Sequence, residues 1–309
     1  MDTRCRYRNW LGYVTGVFGF VSVMVLVACG PSQPESGETE SNALPDPGSQ
    51  TLKLTFGVYT SDSATEMVKQ FAPILEALDS DLGELLGERV QTNLRVASTY
   101  EGGVDDLVSG RVDFARMGPA SYVMAKELDD GIRIIAIESK RGSKFFQGVF
   151  CVHADSPIQE IEDLKGERFA FGDPRSTIGR FLAQQLLVEH GIRSEDLAGF
   201  DYLGRHDKVG MAVGRKKYAA GALKESTFKK LAAAGEPIRA IASFPNVTKP
   251  WIARPGMSPE IFQALQQVLL GMDDALALKS LKKDGFLIGT DADYNAIREA
   301  IESSRAFDS

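Results

Sequence analysis

The chain has 309 residues, 43% of them apolar and 25% charged, with a formal charge of -7 at pH 7. This is ordinary globular composition, and its acidity argues against nucleic acid as a partner. Three cysteines and three widely spaced histidines give no disulfide framework, thiolate site or zinc motif, so no cofactor or metal is expected. The absence of a nucleophile elbow, a Walker loop or a dinucleotide fingerprint counts against an enzyme.

The first predicted element is a targeting segment at 1–28. Arg4, Arg6 and Arg8 precede an apolar run from Leu11 to Val27 that closes in Leu26-Val27-Ala28-Cys29-Gly30, the pattern of a secretory signal. The closing motif resembles the lipobox of bacterial lipoproteins. That resemblance implies cleavage before Cys29, lipidation of Cys29, and attachment to a bacterial membrane with the protein facing the periplasm or exterior. The alternative is an uncleaved anchor, since about 17 apolar residues lie at the lower limit for crossing a bilayer. Residues 29–50, rich in Pro, Ser, Gly and Glu, bury too little surface to offset their ordering entropy and are expected to be a flexible tether. Cys5 would leave with the signal, and Cys151 would remain unpaired.

From Leu52 onward strand and helix signals alternate. Leu52 to Val58 predicts a strand, and Ser63-Ala-Thr-Glu66 a capping box opening an amphipathic helix through Leu78. Strands at Val90 to Val96, Gly110 to Ala115 and Ile132 to Ile137 alternate with helices at Tyr100 to Ser109 and Ala120 to Leu128, a parallel unit. Gly148 to His153 is a further strand, after which the pattern restarts. It gives a short helix near Ile158, strands at Phe169 to Phe171, Phe200 to Leu203 and Ala219 to Leu223, and helices at Ser176 to His190 and Asp207 to Gly214. Ile238 to Ser243 predicts a strand returning to the first lobe, and the remainder reads as helical. The expected fold is α/β with two lobes joined by two hinge crossings: 51–147 for lobe I, 148–237 for lobe II, and 238–309 for the return and C-terminal helices.

The strongest local signal is Phe169-Ala-Phe-Gly-Asp-Pro-Arg-Ser-Thr-Ile-Gly179, a strand and a turn followed by hydroxyl residues at a helix start. Unpaired N–H groups with the Ser176 and Thr177 hydroxyls would cradle a tetrahedral oxyanion. An ordinary N-cap is the alternative reading.

Seven motifs in order resemble the phosphate/phosphite/phosphonate-binding proteins of ABC importers. They are Thr99-Tyr-Glu-Gly-Gly, Gly110-Arg-Val-Asp-Phe-Ala, Gly118-Pro-Ala-Ser-Tyr122, Asp155-Ser-Pro-Ile158, Asp163-Leu-Lys-Gly166, Asp173-Pro-Arg-Ser-Thr177 and Arg205-His-Asp-Lys208. The resemblance implies a type II periplasmic binding protein whose lobes close on the ligand. It implies that Ser176, Thr177, Tyr100 and His206 hold the oxyanion; the strand topology places Tyr59 and Ser121 on lobe I loops facing the cleft. Ile178 stands where the family has a third hydroxyl, and Ser226 and Lys249 stand where relatives that bind aminoalkylphosphonates carry carboxylates, with Glu225 beside the first. The implied partners are a small phosphorus oxyanion, a permease and ATPase complex, and the membrane through Cys29; a monomer is expected. A sensory module for a membrane receptor kinase is the alternative, followed by an esterase or phosphatase built on Ser176 and His206.

Overall fold

The computed structural model describes residues 51–59 and 64–308; Cys29 and the expected signal and tether lie outside them. Two α/β lobes follow one another in the described chain, each with its own sheet.

In the first lobe, β1 (Leu52–Tyr59) is flanked in parallel by β2 (Val90–Ala97) and β3 (Phe114–Arg116). The sheet continues through β10 (Pro250–Ala253), antiparallel to both β3 and β4 (Arg133–Ser139), and ends at β11 (Gly285–Leu287). Helix α1 (Ala64–Leu86) buries Met67, Phe71, Ile74, Leu75, Leu78 and Leu82. That stripe recurs at helical spacing beyond Leu78, which carries the helix two turns past its expected end. Helices α2 (Tyr100–Val108) and α3 (Pro119–Leu128) follow β2 and β3, and α7 (Pro259–Gly271) and α8 (Ala275–Leu281) pack on this lobe.

The second sheet runs β7-β6-β8-β5-β9. Its members are β5 (Phe145–His153), β6 (Arg168–Phe171), β7 (Gly199–Tyr202), β8 (Ala220–Lys224) and β9 (Ile238–Val247). Here β6, β7 and β8 are mutually parallel, and α4 (Leu182–Glu189), α5 (His206–Gly214) and α6 (Glu225–Ala233) follow them in turn. The strand expected to return to the first lobe is β9, and it does not: it pairs with β5 from Phe145↔Val247 to His153↔Ile238. The return is made at β10, two residues later. β10 and β11, at four and three residues, are too short for any alternation to announce them.

The last helix, α9 (Asn295–Arg305), ties the lobes together. Just before it, Tyr294 is buried against Tyr122 of α3, with ring centroids 4.7 Å apart. Just after it, Phe307 is buried between Phe171 and Phe200 of the second sheet, at 5.5 and 5.4 Å. A continuous apolar core therefore passes from one lobe to the other.

Candidate ligand-binding site

In open parallel sheets the space beyond the carboxyl ends of the strands is where ligands are held, because helix N-termini open there. The carboxyl ends of β1, β2 and β3 carry Tyr59, Tyr100 and, after Arg116, the Gly118–Ser121 turn into α3. Those of β6, β7 and β8 carry Ser176, His206 and Lys224.

The turn after β6 is unusually tight against its own strand. Gly172 N–H donates to Gly179 O at 2.8 Å, and a β-carbon on Gly179 would fall 2.7 Å from Gly172 Cα, so only glycine fits at this approach. The helix predicted from Ser176 accordingly begins as a wide π-type turn, Thr177–Phe181, before narrowing into α4.

Three hydroxyl groups are each backed by a backbone amide. Gly179 N–H donates to Ser176 Oγ at 3.0 Å, and Ala120 N–H donates to Thr177 Oγ1 at 3.0 Å. Gly118 N–H donates to Tyr59 Oη at 2.5 Å, and that phenol lies 3.1 Å from Ser121 Oγ. Because an amide can only donate, each receiving oxygen keeps its own proton to give elsewhere: Ser176 and Thr177 directly, Tyr59 by way of Ser121. Tyr100 stacks on Tyr59, 4.1 Å between centroids, and its hydroxyl reaches Ser176. Burial pushes both phenols above the usual tyrosine range, with Asp173 adding to the shift, so both stay protonated donors.

The lobes are shut on one another here. The Ala120–Thr177 bond crosses the cleft, as does an ion pair of Arg175 with Glu101 at 2.9 Å. A hollow of about 270 Å³ opens beside Tyr100, Ser121 and Arg175. A larger one of about 370 Å³, beside His153, Arg168 and Tyr218, lies at the amino ends of the second sheet's parallel strands, away from this chemistry.

Next to the hydroxyls lies a group of cations that the sequence did not single out, apart from Lys249. Glu138 of β4 is fully buried and accepts from Arg116 Nη2 at 3.1 Å and from Trp251 Nε1 at 3.3 Å, with Lys283 Nζ at 3.2 Å. Burial alone would raise its pKa; Arg116 and Lys283 outweigh that and hold it at about 2. Lys224, the last residue of β8, and Lys249, between β9 and β10, are partly buried. Desolvation, then Arg116 and the other cations, press Lys224 down to about 8 and Lys249 well below the ordinary lysine value.

Of the expected site residues, Ser176, Thr177, Tyr100, Tyr59 and Ser121 come together. His206 stands with the lysines instead: its pKa is pushed to about 4 by burial and then by Lys224 and Lys249, and its buried Nδ1 has no hydrogen-bond partner among the described residues. Ile178 turns into the core, where its Cγ2 would lie 3.0 Å from a β-carbon on Gly148, and so presents no polar group to the cleft. Glu225 pairs with Lys229 at 2.6 Å along α6, and Ser226 is exposed. Trp251 is wholly buried, stacked on Phe56 at 4.6 Å, and serves the core.

Residues 56–294 match the family described as periplasmic substrate-binding proteins of phosphonate ABC transporters. The phosphate-import protein of Mycolicibacterium smegmatis is 23% identical over 316 positions, covering 91% of this chain and 92% of that relative. The phosphonates-binding periplasmic protein of Escherichia coli is 27% identical over 173 positions, 54% of this chain and 49% of its own length. In three dimensions the chain is similar to PhnD1 from Prochlorococcus marinus in complex with methylphosphonate, with a TM-score of 0.68 and 20% identity over 82% of this chain and 98% of that one. That likeness establishes the two-lobed fold of type II periplasmic binding proteins. Matched over most of its length, the chain belongs to the periplasmic substrate-binding proteins of phosphonate ABC transporters, a transport component and not an enzyme.

Proposed function

We propose that this protein captures a small phosphorus oxyanion (phosphonate, phosphite or phosphate) between its lobes, with Ser176, Thr177, Tyr100, Tyr59 and Ser121 as the cradle, and hands it to an ABC permease. The observation that carries this reading is the common polarity of Ser176, Thr177 and Tyr59, whose oxygens each accept from a backbone amide and so keep a proton to give. Donors without charge suit a monoanion or a dianion, and each charge-assisted hydrogen bond contributes about 1.5–3 kcal/mol. Contacts from both lobes give the ligand its preference for the closed state, which is what shifts the population.

The lobes divide near 147 and again where the chain leaves β9, and the protein acts as a monomer held to the membrane through lipidated Cys29. The test is titration calorimetry of ligand-free protein with phosphate, phosphite, methylphosphonate and a sulfonate, repeated on the Ser176→Ala, Thr177→Ala double variant. Micromolar binding of one phosphorus oxyanion, lost in the variant, is the expected result; undiminished binding in the variant would remove the cradle from the reading. For the anchor, Cys29→Ser should move the protein from the membrane to the soluble fraction.

A further inference from the structure

Beside the hydroxyl cradle four cations, Arg116, Lys224, Lys249 and Lys283, gather around a single carboxylate. Glu138 is already engaged by Arg116, Lys283 and Trp251. Among the described residues, neither Lys224 nor Lys249 has a carboxylate within ion-pair distance. The Lys224 ammonium lies 5.1 Å from the Phe146 ring, with Lys283 on the same ring at 5.9 Å. Withdrawing like charges from water beside one another is costly unless an anion joins them. The cluster also adjoins the cradle in the fold: Arg116, paired with Glu138, ends β3 two residues before Gly118, whose N–H backs the Tyr59 phenol, and Lys249 O accepts from Glu138 N–H.

Resting on the reading of the cleft given above, we propose that the ligand of this protein carries a second anionic group, a carboxylate or a second phosphoryl, which lies against Lys224 and Lys249 while its phosphorus oxyanion occupies the hydroxyl cradle. An amine at this place finds no carboxylate left unpaired: Glu138 is engaged by Arg116 and Lys283, and Glu225 is paired with Lys229. The groups facing the two lysines are Arg116 and Glu138 from the first sheet, Lys283 before β11, Lys140 from the first crossing, and His206 from α5, with Asp207 acting on His206. Desolvation and the neighbouring cations press both lysines below the ordinary lysine value, so an anion arriving beside them favours their charged form and its binding is coupled to proton uptake.

The experiment titrates the purified protein with methylphosphonate, 2-aminoethylphosphonate, 3-phosphonopropionate and methylenediphosphonate, in two buffers of different ionisation enthalpy near pH 8. The expected result is that one or both of the doubly anionic compounds bind at least about tenfold more tightly than methylphosphonate, with 2-aminoethylphosphonate weakest. A carboxylate preference separates 3-phosphonopropionate from methylenediphosphonate. Binding of the preferred compound should show net proton uptake, and the double variant Lys224→Gln, Lys249→Gln should erase the preference while leaving methylphosphonate affinity within about twofold. Equal affinity for all four compounds without proton uptake in the unaltered protein overturns the proposal but leaves the phosphonate reading standing. Loss of methylphosphonate binding in a folded lysine variant also overturns it, because the phosphorus group itself would then sit on the lysines. Binding of none of the four by folded protein removes the reading of the cleft and the proposal together.

Discussion

The backbone N–H of Ala120, in the first turn of α3, donates to Thr177 Oγ1 in the other lobe at 3.0 Å. One threonine oxygen thus satisfies an orphan donor at a helix start and latches the two lobes, with its own proton left to give.

Thr177→Val keeps the shape and removes that oxygen. Ala120 N–H then loses its partner at a buried site, a loss of about 1–3 kcal/mol. Ligand affinity measured by calorimetry should fall at least about tenfold, and Thr177→Ser should restore most of it. Unchanged affinity in the valine variant would show that the latch plays no part in binding.

Tyr59→Phe leaves the ring stacked on Tyr100 and takes away the oxygen between Gly118 and Ser121. Urea unfolding should show a loss of about 1–3 kcal/mol from the stranded Gly118 N–H, together with weaker ligand binding because Ser121 is no longer oriented. A variant as stable and as tight-binding as the parent would contradict the relay of donors described above.

His206 predicts a definite pH dependence. Its pKa in the folded protein is about 4, against 6.5 for the free side chain. Between these values the unfolded chain binds more protons than the folded one, so stability rises with pH from about 4 to 6.5. The contribution is fully present above 6.5 and is lost as pH falls toward 4, with a slope no steeper than about 1.4 kcal/mol per pH unit. His206→Gln should flatten the stability profile in that window when unfolding is followed in denaturant; an identical slope in the variant would refute the assignment.

Gly148 on β5 has no room for a side chain. An added β-carbon would overlap the Phe244 ring on β9 and press on Ile178 at 3.0 Å. Gly148→Ala should therefore destabilise by about 1–3 kcal/mol, and Phe244→Leu in the same chain should recover part of it. The two changes combined, compared with each alone by thermal unfolding, measure that coupling.

Glu138→Gln removes the negative charge at the centre of the cations. Arg116 and Lys283 would be left buried without a counter-charge, and the loss should be large, about 3–5 kcal/mol. A melting temperature within a degree or two of the parent would show that the cations redistribute to solvent instead.

Much of this architecture could be read from the chain, and particular residues show why the rest could not. The stripe from Met67 to Leu82 and the strand-turn-hydroxyl run at 169–179 are local patterns, so helix α1 and the Ser176 turn were recognisable. Topology placed Tyr59 and Ser121 at the same cleft, but their pairing, 62 positions apart, was not legible. Lys283 and Arg116 meet Glu138 across separations of 145 and 22 residues, and nothing in the sequence around any of them marks the encounter. That Ile178 points into the core was not legible, because a side chain's position along a turn can be read from sequence when its direction cannot. The assignment of β9 failed for a related reason: an apolar strand does not declare which of two sheets it joins.

The aromatic residues at either end of α9 give the molecule a mechanical character. Two crossings of the chain would by themselves form a simple pivot, but Tyr294 is moored to one lobe and Phe307 to the other. Parting the jaws would strain one mooring or the other, so the helix between these two rings acts as a clasp across the lobes.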